Sequence, residues 1–568
     1  MTERTLPIPA EHREFTVKVD GEPLGRGPQL LSVSVRKAVN RLTSARLVYL
    51  DGAASSSDFP LSNEETFVPG AAIEVLAGST SEPEVLFTGI VVRQALKVRD
   101  HAAPQLIVEC RHKATKLTVG RKNASFYDQT DGEVMTSLLD AAGIEADVED
   151  TAVTHQQLVQ YRSTDWDFLL ARAQANGKLI FTNDDTVTVA APAFDSEPVC
   201  ALQFGATILE LDAEIDARSQ YSVVKTVSWD PAQQALVERD AADPGVEGPG
   251  NLTTVDLAAV AAIDSYDLRH TAMPDDEAQA WADAEWLASQ MRRVRGRVKC
   301  EGMALVNPGD RVTIGGVGDR YSGDVFVTGV RQDYDLVHGW KTHVQFGEAD
   351  DRAASLVPPA GGLQIGQVTS NEDPDGEDRV RVRLPMVNGA DEGVWARMAA
   401  PDAGEERGFF FRPEIGDEVV VGFFDDDPRR AVVLGMLHSS AKPAHIKGAD
   451  DNHEKGYQSR SKLKISINDD TKVLQIDTPA GNRVTLSEAD RAIQIVDQNG
   501  NTFEMNADGI TMESPGAISI KAGTELTLES GTAFGLKGGT SLKIEGASGA
   551  ELSSPATTAV KGGVVQIN

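Results

Sequence analysis

His438, His445 and His453 lie within sixteen residues of one another. Imidazole is a common zinc ligand, so this stretch is the first place to look for a metal. Its surroundings are polar and irregular, with Pro443, Gly448 and Gly456, and they read as a solvated linker. Asp425-Asp426-Asp427 has the composition of a carboxylate pair or cation site, but it falls between two apolar runs and reads as a charged hairpin tip. Asp373-x-Asp375-Gly376 echoes a calcium loop and lacks the glutamate that such a loop places at its twelfth position. Cys110, Cys200 and Cys300 are far apart, odd in number and form no CxxC, so neither a disulfide framework nor a zinc ribbon is indicated. The sequence has no G-x-S-x-G elbow, no H-E-x-x-H and no P-loop. The expectation is a protein with no catalytic, cofactor-binding or metal-binding residues.

Composition narrows the partners. The 568-residue chain has a formal net charge of −32 and a pI near 4.7. That argues against nucleic acid, which needs a basic footprint, and against electrostatic adhesion to anionic lipid. Hydrophobic content of 41% supports a sizeable core, and the length suggests three or four domains. No apolar run approaches the 18 or so residues that span a bilayer. The opening Met-Thr-Glu-Arg-Thr lacks the apolar core of a signal peptide. The chain is therefore expected to be made in the cytoplasm and, if it leaves the cell, to do so by another route.

If no side-chain constellation does chemistry, the elements must do the work. The most regular of them is at the C-terminal end. Apolar pairs recur every eight residues at Ile510/Met512, Ile518/Ile520, Leu526/Leu528, Phe534/Leu536, Leu542/Ile544 and Ala550/Leu552. In phase with them run Pro515, Gly523, Gly531, Gly539, Ala547, Pro555 and Gly563. Apolar residues at i and i+2 share one face of a strand, and Gly or Pro supplies the corner. Each octad is then one strand and one turn. A single-chain β-helix needs roughly 20 or more residues per coil, so an octad supplies about a third of a triangular coil, and three chains are expected to wind about one axis. Thr511, Ser519, Thr527, Lys543, Glu551, Lys521, Glu529, Lys537 and Glu545 would face water. The competing arrangement is an antiparallel meander. Its preferred Asn-Gly and Asp-Gly turns are absent from the strict octads. Ahead of the octads, Leu474/Ile476, Val484/Leu486, Ile493/Ile495 and Phe503/Met505 are spaced nine or ten apart, as looser turns.

The rest reads as mixed α and β, then a small barrel. Helices are expected at Asp131 to Ala142 with Asp131 as cap, at Thr164 to Asn176 with a Thr164/Asp167 capping box, and at Pro274 to Val294. Strands are expected at Phe15–Val19, Leu30–Val35, Ala45–Leu50, Ile73–Leu76, Leu86–Val92, Arg297–Met303 and Val325–Arg331, among others. Short strands at Gly366–Val368, Arg379–Leu384, Val394–Met398, Glu418–Phe423 and Ala431–Leu437 suggest a five-stranded barrel.

The motifs now carry a resemblance. Asp373-Pro-Asp-Gly-Glu-Asp-Arg-Val-Arg-Val-Arg-Leu-Pro385, Trp395-Ala-Arg397, Pro413-Glu-Ile-Gly-Asp-Glu-Val-Val-Val421 and Asp426-Asp-Pro-Arg-Arg-Ala-Val-Val-Leu-Gly435 resemble successive strands of the barrel in VgrG and phage hub-and-spike proteins. Asp426 replaces the usual Gly and Ala431 the usual Pro. Phe87-Thr-Gly-Ile-Val91 and Tyr161-Arg-Ser-Thr-Asp-Trp-Asp-Phe168 are similar to hub motifs of the same family. The resemblance spans nearly the whole chain. It implies a hub-like α+β domain (1–357), an oligonucleotide/oligosaccharide-binding-type barrel (363–440), a linker (441–462) and an intertwined trimeric β-helix (463–568).

It also implies function: a homotrimeric spike of a contractile injection machine, without enzymatic activity. The spike would connect tail tube and baseplate to the tip and touch the target membrane transiently. Implied partners are an Hcp-like tube, baseplate proteins, cargo effectors and a PAAR-type tip protein, and the particle would act outside the cell. Pseudo-sixfold symmetry, from two similar strand-rich halves near 15–110 and 215–350, is implied by the family and not visible as a sequence repeat. Val564, Val565, Gln566, Ile567 and Asn568 are the expected cap platform. Ile510, Met512, Ile518, Ile520, Leu526, Leu528, Phe534, Leu536, Leu542 and Ile544 are the expected trimer core. The alternative function is a trimeric tailspike that cleaves surface polysaccharide with paired carboxylates in a groove, for which the narrow octad coil leaves no room.

Overall fold

The computed structural model describes residues 14–25, 27–79, 82–183, 185–271, 273–347 and 359–567. The opening residues Met1 to Thr5, Val357 at the end of the expected hub domain, and Asn568 of the expected cap platform lie outside them. Strands hold 43% of the described residues and helices 12%, so the fold is mainly β. It divides into two compact units, Met1–His438 and Ser439–Asn568.

One large antiparallel sheet dominates the first unit. Its first half contains β1 (Glu14–Val19), β2 (Gln29–Ala38), β3 (Arg41–Leu50), β4 (Ala72–Ser79), β5 (Glu82–Arg99) and β6 (Ala102–Arg111). Its second half contains β7 (Cys200–Gln203), β8 (Ile208–Ile215), β9 (Val294–Glu301), β10 (Arg311–Gly315), β11 (Gly323–Asp335) and β12 (Gly339–Phe346). In space the first half runs β2-β3-β6-β5-β4-β1 and the second β8-β9-β12-β11-β10-β7. The two orders are the same, six strands apart, so the hub is a duplication. Only β7–β10 departs in sense, being parallel where β1–β4 is antiparallel.

The hydrogen bonds repeat as well. Gly70 N–H donates to Val91 O and Val91 N–H to Ala71 O; Gly309 N–H donates to Val327 O and Val327 N–H to Asp310 O. A β-bulge follows Val91 in the β5–β6 ladder and Val327 in the β11–β12 ladder. Each ladder starts at a Pro-Gly corner, Pro69-Gly70 and Pro308-Gly309, whose glycines sit at φ +106° and +99°, where a side chain is disfavoured. Each half buries its own core, Val33, Val35, Leu47, Phe67, Ile73, Phe87 and Leu106 in one and Val298, Val312, Ile314, Val327 and Val344 in the other. The halves join where β11 pairs with β2, Gly329 to Asp335 against Ala38 to Ser32.

Helices α1 (Asp131–Ala141) and α2 (Asp165–Ala175) lie between the halves in the chain, and α3 (Thr254–Ala261) and α4 (Asp275–Met291) lie within the second half, between β8 and β9. The α1 cap is Thr130 rather than Asp131. Thr130 Oγ1 accepts from Glu133 N–H while Glu133 accepts from Thr130 N–H, because Asp131 is turned inward to a buried arginine. Thr164 caps α2 by accepting from Asp167 N–H.

The barrel closes as β13 (Gln364–Ser370), β14 (Val380–Arg383), β15 (Val394–Met398), β17 (Ala431–Met436) and β16 (Glu418–Phe423). Its core of Val368, Val380, Val382, Ala396, Val419, Val421 and Val433 also takes in Val159 and Tyr161 from the hub.

The second unit begins as an antiparallel meander: β18 (Glu454–Gln458), β19 (Lys464–Asn468), β20 (Val473–Asp477), β21 (Arg483–Ser487), β22 (Ala492–Val496), β23 (Thr502–Asn506) and β24 (Gly509–Glu513). Two expectations change here. The stretch 441–462 contains a strand, β18, paired with β19. The pair Ile510/Met512 belongs to the meander, opposite Met505 and Phe503, because the Asn506-Ala-Asp-Gly509 turn, in which Asn506 Oδ1 accepts from Asp508 N–H, still supplies a hairpin. Beyond 513 the backbone bends at 515–516, 523–524, 531–532, 539–540, 547–548, 555–556 and 563–564, one bend per octad at the Gly, Pro and Ala positions read from sequence.

Candidate functional site

The two acidic runs singled out for chemistry serve as structural clamps. Asp373 accepts from the backbone N–H groups of Asp375, Glu377 and Arg379, and its two oxygens are held by the Arg379 guanidinium, which also reaches Asp375. The Arg379 bonds hold the Asp373 carboxyl well below the usual carboxylate range. An arginine thus neutralises both carboxylates of this loop. Arg379 and Arg381 also lie over the Trp395 ring, at 5.8 and 5.7 Å, which ties the opening motif of the barrel to its Trp-x-Arg strand. Among the described residues no group of three or more His, Cys, Asp or Glu is gathered to hold a metal ion.

Asp425-Asp426-Asp427 is a docking turn and not a free hairpin tip. Asp425 accepts from Thr271 N–H at 2.6 Å and from Thr271 Oγ1 at 2.7 Å. Arg430 Nη1 donates to Thr271 O at 2.8 Å. Arg429 bridges Asp427 at 2.8 Å and Glu277 at 2.9 Å, with the Glu277 side chain 2% exposed. Burial pushes the Glu277 carboxyl up, but Arg429, Arg172 and His155 outweigh it and hold it below its ordinary value. The same network continues through Arg172, which grips Asp131 with two nitrogens, and through His155 and Asn176 on the same carboxylate. Sequence reading missed this cluster, since its members come from α1, α2, α4 and the barrel. The one local signal was the Asp-Pro-Arg-Arg run at 427–430.

A second seam joins hub and barrel. Asn123 Nδ2 donates to Met386 O at 2.8 Å, and the Tyr127 hydroxyl donates to Asp391 at 2.9 Å. Burial, then the bond to Asp391, pushes the Tyr127 hydroxyl up to about 12. The Tyr161–Phe168 motif now has a division of labour. Tyr161 enters the barrel core, Thr164 caps α2, Asp165 pairs with Lys122, and Phe168 packs on Phe126. In Phe87-Thr-Gly-Ile-Val91, a Cβ at Gly89 would fall 2.4 Å from Arg111 O, so the close approach of β5 to β6 excludes any side chain there. These contacts hold hub and barrel together.

The second unit has the opposite character. Across the meander, Ile467, Leu474, Leu486, Ile493, Met505 and Ile510 stand in one row, and Ile465, Ile476, Val484, Ile495, Phe503 and Met512 in the next. Most of these are exposed, Ile493 by 39% and Ile495 by 46%, while the intervening Gln475 and Gln494 are half-buried. A self-contained sheet buries its apolar face; this one leaves it open. From 514 to 567 no backbone–backbone hydrogen bond forms among the described residues. The expected core residues Ile518, Ile520, Leu526, Leu528, Phe534, Leu536, Leu542 and Ile544 are all more than half exposed in the single chain. Of the expected cap platform, Val564 and Ile567 are the most exposed, at 86% and 91%; Val565 and Gln566 are exposed too.

The described residues thus form a strand hub with a repeated topology, a closed five-strand barrel and an open-faced strand array. The chain belongs to the Alg8 N-terminal domain family, whose model matches residues 9–335, more than half of its length. Residues 364–438 match the type VI secretion system/phage-baseplate injector OB domain. The fold is similar to that in the lidded Francisella PdpA–VgrG complex, at 8% identity and TM-score 0.52 over 89% of this chain and 80% of that one. It is also similar to the lidless PdpA–VgrG complex, at 8% identity and TM-score 0.51 over 89% and 99%. The E. coli c3393 protein, a type VI secretion component, matches at 14% identity and TM-score 0.46 over 74% and 99%. No curated protein matches the sequence. Among the described residues no helix is long and apolar enough to cross a membrane.

Proposed function

We propose that three copies of this chain assemble into the hub and needle of a contractile injection machine and that the needle pierces a target envelope when the machine fires. The observation that carries this reading is the stretch 514–567: extended, bent every eight residues, with exposed apolar pairs and no backbone ladder of its own. Unpaired backbone N–H and C=O groups demand partners once buried, and a contiguous apolar face of this size marks an interaction surface. Two further copies provide both at once. Three walls around one axis close the ladder, bury the pairs and leave no side edge. The same three copies would cover the open faces of the meander.

The other partners follow from the geometry of such a needle. The hub would sit on an Hcp-like tube and baseplate proteins, with cargo effectors carried beside or behind it. A PAAR-type protein would cap Val564, Val565, Gln566, Ile567 and Asn568, of which Val564 and Ile567 are strongly exposed. In keeping with a capped or decorated spike, the VgrG that this fold resembles was solved in complex with a second protein, PdpA. The work is mechanical, and no step of bond chemistry is needed. Sedimentation equilibrium of the full chain tests the reading. A mass of three chains supports it; a well-folded monomer at micromolar concentration overturns it.

A further inference from the structure

We propose that the face of the hub sheet around Ser44 is a docking site for an acidic polypeptide segment of a partner protein, held by Arg36, Arg46 and Arg111. The site goes beyond the needle reading and does not depend on it.

The two halves of the hub can be matched residue by residue. The bulges after Val91 and Val327 align Cys110 with Phe346. Cys110 pairs with Ala45 and Ala45 with Val35; Phe346 pairs with Gly296 and Gly296 with Ala213. One residue further along each strand, the side chains point to the other face of the sheet, away from the cores. On that face the second half carries its own counter-ions. Arg295 faces Glu214 and binds it at 2.5 Å; Arg297 faces Asp212 and binds it at 3.2 Å. At the equivalent places of the first half, Ser44 faces Arg36 and Arg46 faces Ser34. Where one half has two carboxylates, the other has an arginine and a serine.

The result is a cluster of cations without counter-ions. Arg36 and Arg111 flank Ser44 on its two neighbouring strands, which puts their Cα atoms about 10 Å apart. Arg46 stands two residues along β3 on the same face. All three are exposed, and among the described residues none of them has an ion-pair partner. The carboxylates beside them are engaged elsewhere, Glu109 with Arg93 and Asp333 with Arg331, each at 2.7 Å. Arg36 also faces Arg331 directly, and like charges across a ladder oppose it. In a chain with a net charge of −32, this cluster is complete only when an anion from outside lies on it.

The chemistry selects the anion. Guanidinium forks match carboxylates, and in the second half carboxylates fill the equivalent ladder positions. Acidic residues two or three apart in an extended segment, about 7 to 10 Å, match the spread of the three arginines. Nucleic acid fits poorly. Ser34, Arg36, Ser44, Arg46, Glu109 and Arg111 make up this part of the face, so no aromatic ring is there for a base to stack on. Glu109 and Asp333 border the arginines and would repel a continuous phosphate backbone.

Fluorescence anisotropy of the full chain with a labelled oligo-glutamate peptide tests the site. The peptide should bind at low salt, an oligo-glutamine peptide of the same length should not, and oligothymidylate of the same length should bind about tenfold more weakly or less. Arg36→Glu supplies the carboxylate that Glu214 supplies in the second half. It should weaken oligo-glutamate binding by about tenfold or more without lowering the melting temperature. Lys447→Glu is the same charge change at an exposed position outside the hub and should leave the affinity within about twofold. Binding unaffected by Arg36→Glu, or weakened equally by Lys447→Glu, overturns the site. Oligothymidylate binding as tightly as oligo-glutamate overturns the assignment of an acidic polypeptide. A trimer that binds no oligo-glutamate overturns the docking site and leaves the needle standing, whereas a monomer that binds it overturns the needle alone.

Discussion

At the scale of single residues, the molecule places its charges where they lock surfaces together. Arg429 is the clearest case, since it neutralises both Asp427 and the buried Glu277. Replacing one member of a buried ion pair leaves its partner charged without compensation, at a cost of roughly 3 to 5 kcal/mol. Arg429→Met should therefore lower the stability of the hub–barrel unit by about that amount in denaturant titration. Lys543→Ala removes a pair with Glu545 whose side chains are 75% and 70% exposed and should shift stability by less than about 0.5 kcal/mol. The same pair of carboxyls sets a pH dependence. Glu277 and Asp427 are held below their ordinary values, so the folded state binds fewer protons than the unfolded one. That stabilisation is complete above the ordinary carboxylate range, near pH 4, and is lost as the pH falls through the depressed values. In Arg429→Met, Arg172 and His155 still lower Glu277 and Arg430 still lowers Asp427, so the depression shrinks. Melting temperatures measured from pH 6 to pH 3 should fall for the native chain, with a shallower slope in the variant. Parallel slopes would remove Glu277 and Asp427 as the source.

At the scale of elements, the contrast lies between strands that find partners locally and strands that do not. An octad is the extreme local case, a strand and a corner that depend on nothing else in the chain. Leu526→Asp should place three carboxylates together on the proposed axis, where burial forces them to protonate or blocks assembly. Glu529→Lys should be nearly silent, and equal melting temperatures for the two would contradict the assigned facing. The same distinction decides what could be read from sequence. The bends fall at Pro515 and Gly523 and at every eighth residue after, as the spacing implied, because local chemistry sets them. The barrel strands were legible from their valine alternation, and Val394–Met398 and Glu418–Phe423 match their expected bounds. The strands Lys122–Thr130 and Thr154–Ser163 went unread, since both are rich in polar residues and their ladder joins segments separated by α1 rather than by a tight turn. The hub duplication was also hidden. It survives in strand order, two bulges and two Pro-Gly corners, while the side chains between have diverged, and a hydrogen-bond ladder does not ask for particular side chains. The Asp131 misreading has the same root. A carboxylate before a helix suggests a cap, and only the tertiary position of Arg172 draws it inward.

At the scale of the whole molecule, two designs share one chain. The first unit is closed and clamped, with a duplicated sheet, separate cores and arginines at its seams; the second leaves its apolar rows exposed, to be covered by the other copies in the proposed trimer. In that trimer each octad would add one strand spacing, about 4.8 Å, to the proposed needle, with side-chain facing alternating with period two. Deleting Gly523 to Ser530 removes one octad and returns Phe534 and Leu536 to the positions of Leu526 and Leu528. Deleting Gly523 to Glu529 removes seven residues and turns every later pair outward, since a slip of one residue flips all side chains to the other face. The eight-residue deletion should keep the mass of a trimer and a melting temperature within a few degrees of the native chain, with a needle shorter by about one strand spacing in electron micrographs. The seven-residue deletion should expose the remaining apolar pairs, bind a hydrophobic dye and lose its shaft. If both deletions behave alike, the eight-residue period sets neither the facing nor the length of the needle, and the spike must be held by something other than the paired apolar residues.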